Sequence, residues 1–534
     1  MMHFHSSTAL MTGIRKGVCS DWALTMIFDA QTESGGQQPL LNVTPAEDAV
    51  TMGLLGILLG LGLLVWLAFR GWSVLGLAPV AALVAAAFAG DPLLAHWTQT
   101  FMGSAAGFIA QFFPLFLLGA LFGKLMDDSG SVTAIAQFMT ERLGPHRAIL
   151  AVVLAGALVT YGGVSVFVAM FVLAPMGQAL FRAAEVPNRL LPGAVMLGTA
   201  TFTMSALPGT PAIQNAIPMP FFGTTPFAAP GLGFIAAAIM LGFGLWWLVR
   251  AESAAHRAGE GFAGPIGSAS SAAHDPVVRE RATASHAFDP AEVEHGARSP
   301  QLPGIGVALL PLIVVMLVNL TMSLLVLPRL DTSYLAELRW GETSLASVGG
   351  VWSVIVALAS AIVVLYLFNR GRLLALRDTV DAGLNASALP VLSVASLVGF
   401  GAVVASLPAF EVVRDWVLGI EGGPLVGLAL ATNVLSALTG SASGGLTIAL
   451  SALGETYMQL AATHGIDPAL MHRVAVIGAA TLDSLPHNGA VVTLLAVCGA
   501  THRESYFDIV MVAIVGALLA LAVVIALGAT VGSF

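Results

Sequence analysis

The sequence predicts an all-α polytopic membrane protein, and three observations carry that prediction. Hydrophobic residues make up 57% of the chain against 10% charged, with a mean hydropathy of +0.88. Apolar runs near or above the ~20 residues that a spanning helix needs recur along almost the whole length. Their Leu, Ala, Val and Gly texture lacks the polar/apolar alternation of a barrel strand. The formal net charge of -9 says little about partners, because in a membrane protein the distribution of Lys and Arg between loops matters more than the total. No basic patch with interleaved aromatics points to nucleic acid. The 2 cysteines, Cys19 and Cys498, make neither a disulfide framework nor a thiolate metal site, and no metal or cofactor is expected.

Residues 1–47 are mixed and weakly apolar, without a clean apolar core followed by a small-residue cleavage site. They read as an N-terminal extension, disordered or preceding the true start, since Met52 opens the first convincing span. Apolar spans follow at about 50–69, 73–89, 105–125, 148–181, 190–222 and 230–249, which together form a first repeat over 48–250. Residues 251–302 lose the periodicity and carry scattered charges with His256, His274 and His295, so they read as a flexible linker. A second repeat over 303–534 holds spans at about 304–327, 346–368, 384–406, 424–462, 471–500 and 506–530.

Two elements of each half depart from a plain span, and they correspond. The run 148–181 is too long for one crossing and is interrupted by Tyr161-Gly162-Gly163-Val164-Ser165, which predicts a re-entrant hairpin. Its twin is 424–462, interrupted at Thr439-Gly440-Ser441-Ala442-Ser443-Gly444-Gly445. The next span is broken in each half, at Leu207-Pro208-Gly209-Thr210-Pro211 and at Leu485-Pro486-His487-Asn488-Gly489. Leu207 follows Gly162 by 45 residues and Leu485 follows Gly440 by 45. Proline removes a backbone donor and glycine permits unwound dihedrals. Such breaks are tolerated at membrane depth only where protein or a wet cavity receives the freed groups. The Gly-rich spacing over 53–62 reads as helix packing.

Five crossings and one hairpin per half require the halves to be inverted. Fifteen of the 21 Lys and Arg residues then lie on the linker side, and six, Arg473 among them, on the other. The positive-inside rule places the linker in the cytoplasm and both termini outside.

Inverted repeats with discontinuous helices are the sequence signature of secondary transporters. An anionic substrate inside the bilayer needs donors, which half-helix N-termini supply without a full buried charge. Gly162, Gly163 and Ser165 at the first tip, and Gly440, Ser441, Ser443 and Gly444 at the second, are candidate substrate-binding residues. Thr210, Gln214 and Asn215 join them from the first broken span, with Ser484 and Asn488 from the second. None of these spans shows an obvious buried Arg or Lys, so charge neutralisation falls to dipoles, a cation or a proton. Asp483 and His487, ionisable inside a membrane segment, are candidate proton couplers. Their structural alternatives are a cap on the second half-helix for Asp483 and a partner for freed backbone for His487. Glu455 is a weaker candidate that a solvated position would explain, and Asp127 and Asp128 read as a cytoplasmic helix end.

The runs Leu118-Gly119-Ala120-Leu121-Phe122-Gly123-Lys124-Leu125-Met126, Ala206-Leu207-Pro208-Gly209-Thr210-Pro211 and Leu485-Pro486-His487-Asn488-Gly489 resemble the gluconate permease family from about residue 52 to the end. The resemblance implies a bacterial inner-membrane proton symporter of gluconate or a related hydroxy acid, with paired re-entrant hairpins and, by likeness to elevator-type relatives, a homodimer. The chain departs from the gluconate-type subgroup at the first tip and at both breaks, so a short monocarboxylate such as 3-hydroxybutyrate fits as well. Sodium coupling is the alternative within the class. From other classes, a membrane-embedded enzyme would use Asp483 and His487 as an acid/base pair, and a channel would pass substrate without accumulating it.

Overall fold

Apolar helices and glycine or proline punctuation build the whole described fold. The computed structural model describes residues 47–70, 72–262, 289–420 and 422–534, and among these there is no strand. The first half runs α1 Glu47–Phe69, α2 Val74–Ala89, α3 Leu93–Asp128, α4 Ser131–Leu143, α5 Ala148–Tyr161, α6 Val166–Ala183, α7 Leu191–Thr199 and α8 Pro230–Arg257. Short turns at Phe202–Ser205, Ile213–Ala216 and Pro218–Phe222 lie between α7 and α8. The second half runs α9 Ile305–Arg329, α10 Leu345–Asn369, α11 Leu376–Ser406, α12 Phe410–Leu418, α13 Pro424–Thr439, α14 Ala442–His464, α15 Pro468–Ala479, α16 Gly489–Val497 and α17 His502–Val531.

Eight helices among the described residues are long and apolar enough to cross a membrane, so this is a multi-pass membrane protein. That is fewer long spans than the ten crossings expected. Helix α2 has 16 residues, and at ~1.5 Å per residue it falls short of the ~30 Å hydrocarbon core. Burial separates the elements by role. The apolar windows of α6 and α11 are 72% buried, whereas those of α1 and α9 are 28% buried and offer most of their surface to lipid. The glycines of α1 do serve packing: a Cβ on Gly56 would collide with Phe88 of α2, and one on Gly60 would stand 2.6 Å from the Ala81 carbonyl oxygen.

Two expectations need correction. The stretch left without an element between the spans at 105–125 and 148–181 contains α4, bent 104° from the segment that becomes α5. Gly130 and Gly144, both at positive φ, bound it, and it buries Val132, Ile135 and Ala136 while exposing Gln137, Glu141 and Arg142. The polar face dilutes its hydropathy below that of a span. The ends of the segment read as a flexible linker are built into the fold. Helix α8 continues to Arg257. Arg189 bridges to Glu260 at 2.8 Å and to Asp508 at 3.1 Å. On the far side, Arg298 pairs with Asp127 at 3.0 Å, and the Ser299 N–H donates to the Asp128 carbonyl at 2.8 Å. Asp127 and Asp128 do end α3, but they are buried, and Lys124 reaches Asp128 at 2.9 Å. Residues 263–288, with His274, and the N-terminal extension to residue 46 lie outside the described residues.

Candidate functional site

The first hairpin tip is a glycine turn wedged against the first break. Helix α5 ends at Tyr161, Gly163 turns the chain at φ +99°, and the Ser165 hydroxyl opens α6 by accepting the Phe167 N–H at 3.3 Å. A Cβ on Gly163 would stand 2.8 Å from Cγ of Pro211, and one on Gly162 would collide with Leu312 of α9. Only glycine fits both positions, one for space and one for space and φ together.

The broken span beside it leaves carbonyls that need donors, and side chains provide them. The Tyr161 hydroxyl donates to the Pro208 carbonyl at 2.7 Å, Asn319 Nδ2 to the Gly209 carbonyl at 3.0 Å, and Asn215 Nδ2 to the Thr210 carbonyl at 3.1 Å. This satisfaction from within the protein is what permits irregular backbone at membrane depth. Between tip and break lies a cavity of ≈ 60 Å³. By volume it takes about two waters at roughly 30 Å³ each, or the carboxylate head of a small acid. Gly163, Ser165 and Gln214 line it together with Thr160 and the start of α6, an end of the helix that favours negative charge.

Of the first-half candidates, therefore, Gly163, Ser165 and Gln214 converge on one cavity. Gly162 faces α9 instead. Thr210 is buried behind the wall, where its hydroxyl accepts the Ala212 N–H at 3.4 Å. Asn215 commits both ends of its amide to the protein: Nδ2 to Thr210 and Pro226 carbonyls, and Oδ1 to His472 Nε2 at 3.1 Å and Arg473 at 3.5 Å.

The second tip and break are joined more tightly. Gly440 turns at φ +63°, and the Ser441 hydroxyl caps α14 by accepting the Gly444 N–H at 3.0 Å, with Ser443 Oγ 3.3 Å away. Asn488 does two things at once. Its Oδ1 accepts the N–H groups of Ala490 at 2.7 Å and Val491 at 3.3 Å, capping α16, while Nδ2 donates to the Gly440 carbonyl at 2.9 Å. The cap on the second half-helix is thus Asn488 and not Asp483, because Asp483 sits in the preceding turn. That carboxylate is buried and accepts the Ser484 hydroxyl at 3.1 Å. The Ser484 carbonyl in turn takes the Tyr506 hydroxyl at 3.2 Å. The His487 ring is half-buried, its edge 3.0 Å from where a Cβ on Gly440 would stand. Glu455 is exposed.

The expectation that none of the hairpin and broken spans carries a buried cation is wrong at Arg473, and a second buried cation lies outside them. Lys124 is buried at the end of α3, and Arg473 is fully buried in α15. The Arg473 guanidinium donates to the Ala228 carbonyl at 2.6 and 3.2 Å, to the Ser205 carbonyl at 3.1 Å and to Asn215 Oδ1 at 3.5 Å. His472 beside it joins Thr224 Oγ1 at 2.6 Å to Asn215. A signal for this was present: Asp467-Pro468 is a helix-start pair, and Asp467 does cap α15. That start carries Arg473 more than a turn into the span.

Comparison with known proteins agrees with this architecture. Residues 52–220 match the family model described as GntP family permease. The chain is 40% identical over 473 residues to the uncharacterized transporter YxjC of Bacillus subtilis, covering 87% of this chain and 96% of the relative. It is 31% identical over 173 residues to the high-affinity gluconate transporter of Escherichia coli, covering 31% and 37% of the two chains. These matches are to permeases and transporters and not to enzymes, so the acid/base enzyme reading is set aside. The extent of the Bacillus match, with the family model over the first half, shows that the chain belongs to the GntP permease family.

Proposed function

We propose that this permease is a secondary active importer of a small organic anion, driven by proton symport and working by alternating access. The observation that carries the reading is the repeated pairing of a glycine hairpin tip with a broken helix, at Gly163 against Pro211 and at Gly440 against Asn488. The elements of the two halves follow the same order, which supports a duplicated architecture; the inverted arrangement in a bacterial inner membrane, with residues 251–302 cytoplasmic and both termini outside, rests on the Lys and Arg distribution, and the homodimer on likeness to elevator-type relatives. The carboxylate head of the substrate occupies the first-half cavity, and the departures from the gluconate-type pattern at the first tip and both breaks fit a short monocarboxylate such as 3-hydroxybutyrate at least as well as gluconate. Ser441, Ser443, Gly444 and Ser484 contribute polar contacts from the second half as the transport unit moves. Asp483 and His487 carry the coupling proton, since ionisable residues at such a site serve function by default.

Uptake of 3-hydroxybutyrate and gluconate into proteoliposomes under imposed pH or Na+ gradients tests this. Accumulation driven by an inward proton gradient is expected. Dependence on Na+ alone would move the coupling to sodium, with tip carbonyls and hydroxyls as ligands. Indifference to both gradients would remove symport, and flux that never accumulates substrate would mark a channel.

A further inference from the structure

Arg473 presents a full positive charge inside the membrane domain without a carboxylate to balance it. Among the described residues its partners are the Ala228 and Ser205 carbonyls and the Asn215 amide oxygen, and no acidic side chain lies within ion-pair distance of it. Lys124 shows the contrast, because that buried cation sits on Asp128. Buried charges are ordinarily paired, since an isolated one is costly to desolvate. A cation held only by dipoles keeps its field for something else.

Its position says what that is. Two of its three acceptors adjoin residues of the cavity wall in sequence: Ser205 follows Met204, and Asn215 follows Gln214, both of which line the cavity. Tyr161, whose hydroxyl fixes the Pro208 carbonyl of the break, adjoins Thr160 and belongs to the same tip as Gly163. The guanidinium therefore holds oxygens of residues that are each one position from the cavity wall in sequence. We infer that Arg473 is the fixed counter-charge of the anion site, a positioning residue that raises affinity for a carboxylate through its field without touching it. This deepens the importer reading and rests on it. It also reassigns charge neutralisation, which is done by the protein's own cation before any coupling ion binds.

The test uses the purified full chain in nanodiscs, with 3-hydroxybutyrate and gluconate as probes and ligand-induced thermal stabilisation as the readout of affinity. Arg473→Gln removes the charge. Arg473→Lys keeps the charge and loses the planar fork. At a separation of several ångströms in a partly polarisable interior the field is worth about tenfold or more in affinity. Arg473→Gln should therefore weaken binding at least about tenfold, and Arg473→Lys should stay within roughly threefold of wild type. A purely structural clamp that needs the planar fork predicts Arg473→Lys as weak as Arg473→Gln, and that result overturns the inference. So does wild-type affinity in a monodisperse Arg473→Gln protein. If the wild-type protein binds neither acid, the anion-site reading itself fails, an outcome separate from the variant pattern.

Discussion

Replacing Asn488 with alanine should loosen the second hairpin tip from the second break. Two losses add. The α16 cap disappears, which costs about 1 kcal/mol. The Gly440 carbonyl also loses the amide that meets it at 2.9 Å; side-chain hydrogen bonds inside membranes average about 0.6 kcal/mol, reaching about 1.7. The sum is about 1.6 to 2.7 kcal/mol, large enough to read as a drop of a few degrees in the melting temperature of the purified protein. Asn488→Ser separates the parts. A serine hydroxyl still caps a helix but is too short to reach Gly440, so it should recover about 1 kcal/mol of the loss while leaving the tip untied. Uptake in proteoliposomes should fall in both variants, because the serine restores the helix start and not the junction. Wild-type melting and wild-type uptake in Asn488→Ala would refute the idea that this junction holds the site together. Uptake fully restored by serine would show that the cap, and not the tie, is what transport requires.

Three further outcomes are expected. Gly163→Ala forces a side chain into φ +99° and toward Pro211 at 2.8 Å, so it should cost about 2 to 4 kcal/mol in stability and abolish uptake, measured by thermal unfolding and by proteoliposome assay. Asp483→Asn and His487→Ala should each reduce uptake, and the stronger coupler should also lose the pH dependence of apparent affinity; normal transport with unaltered pH profiles in both would return these residues to structural roles. Lys124→Met strands the buried Asp128 carboxylate and should destabilise by about 3 to 5 kcal/mol, whereas adding Asp128→Asn should recover most of it, as read by denaturation of the two variants side by side.

The parts of the fold that were legible in sequence are those with a local cause. Run length announces a span, and a Gly or Pro cluster inside a run announces an interruption, so the turns at Gly162-Gly163 and Gly440 and the irregular stretches at Pro208 and Pro486 could be placed from residues alone. Helix α4 was not legible because its polar face at Gln137, Glu141 and Arg142 hides a one-sided apolar stripe. The anchoring of Arg298 to Asp127 spans 171 positions, and nothing local to either residue announces it. At the site, tip residues were recognised as a class, but sequence cannot say which side of a turn faces a cavity. Gly163 and Gln214 turned toward it, while Gly162, Thr210 and Asn215 turned into the scaffold. Arg473 escaped because a charged residue near the start of an apolar run reads as a loop until the Asp467-Pro468 cap is used to set the helix start.

The donors that satisfy the first break come mostly from later in the chain, and this bears on how the protein is made. Asn319 reaches back 110 positions to Gly209, and Arg473 reaches back 268 to Ser205. The debt also runs forward: Gln178 and Asn188 both donate to the Cys498 carbonyl at 2.9 Å. At roughly 5 to 20 residues per second of synthesis, the Ser205 carbonyl waits on the order of ten to fifty seconds for its guanidinium. Through that interval the nascent first half must keep its broken span near water, the translocon or a chaperone, and it cannot settle in lipid. Assembly of this protein is therefore gated by completion of its last third, and a chain stalled before Arg473 should be held at the insertion machinery or degraded.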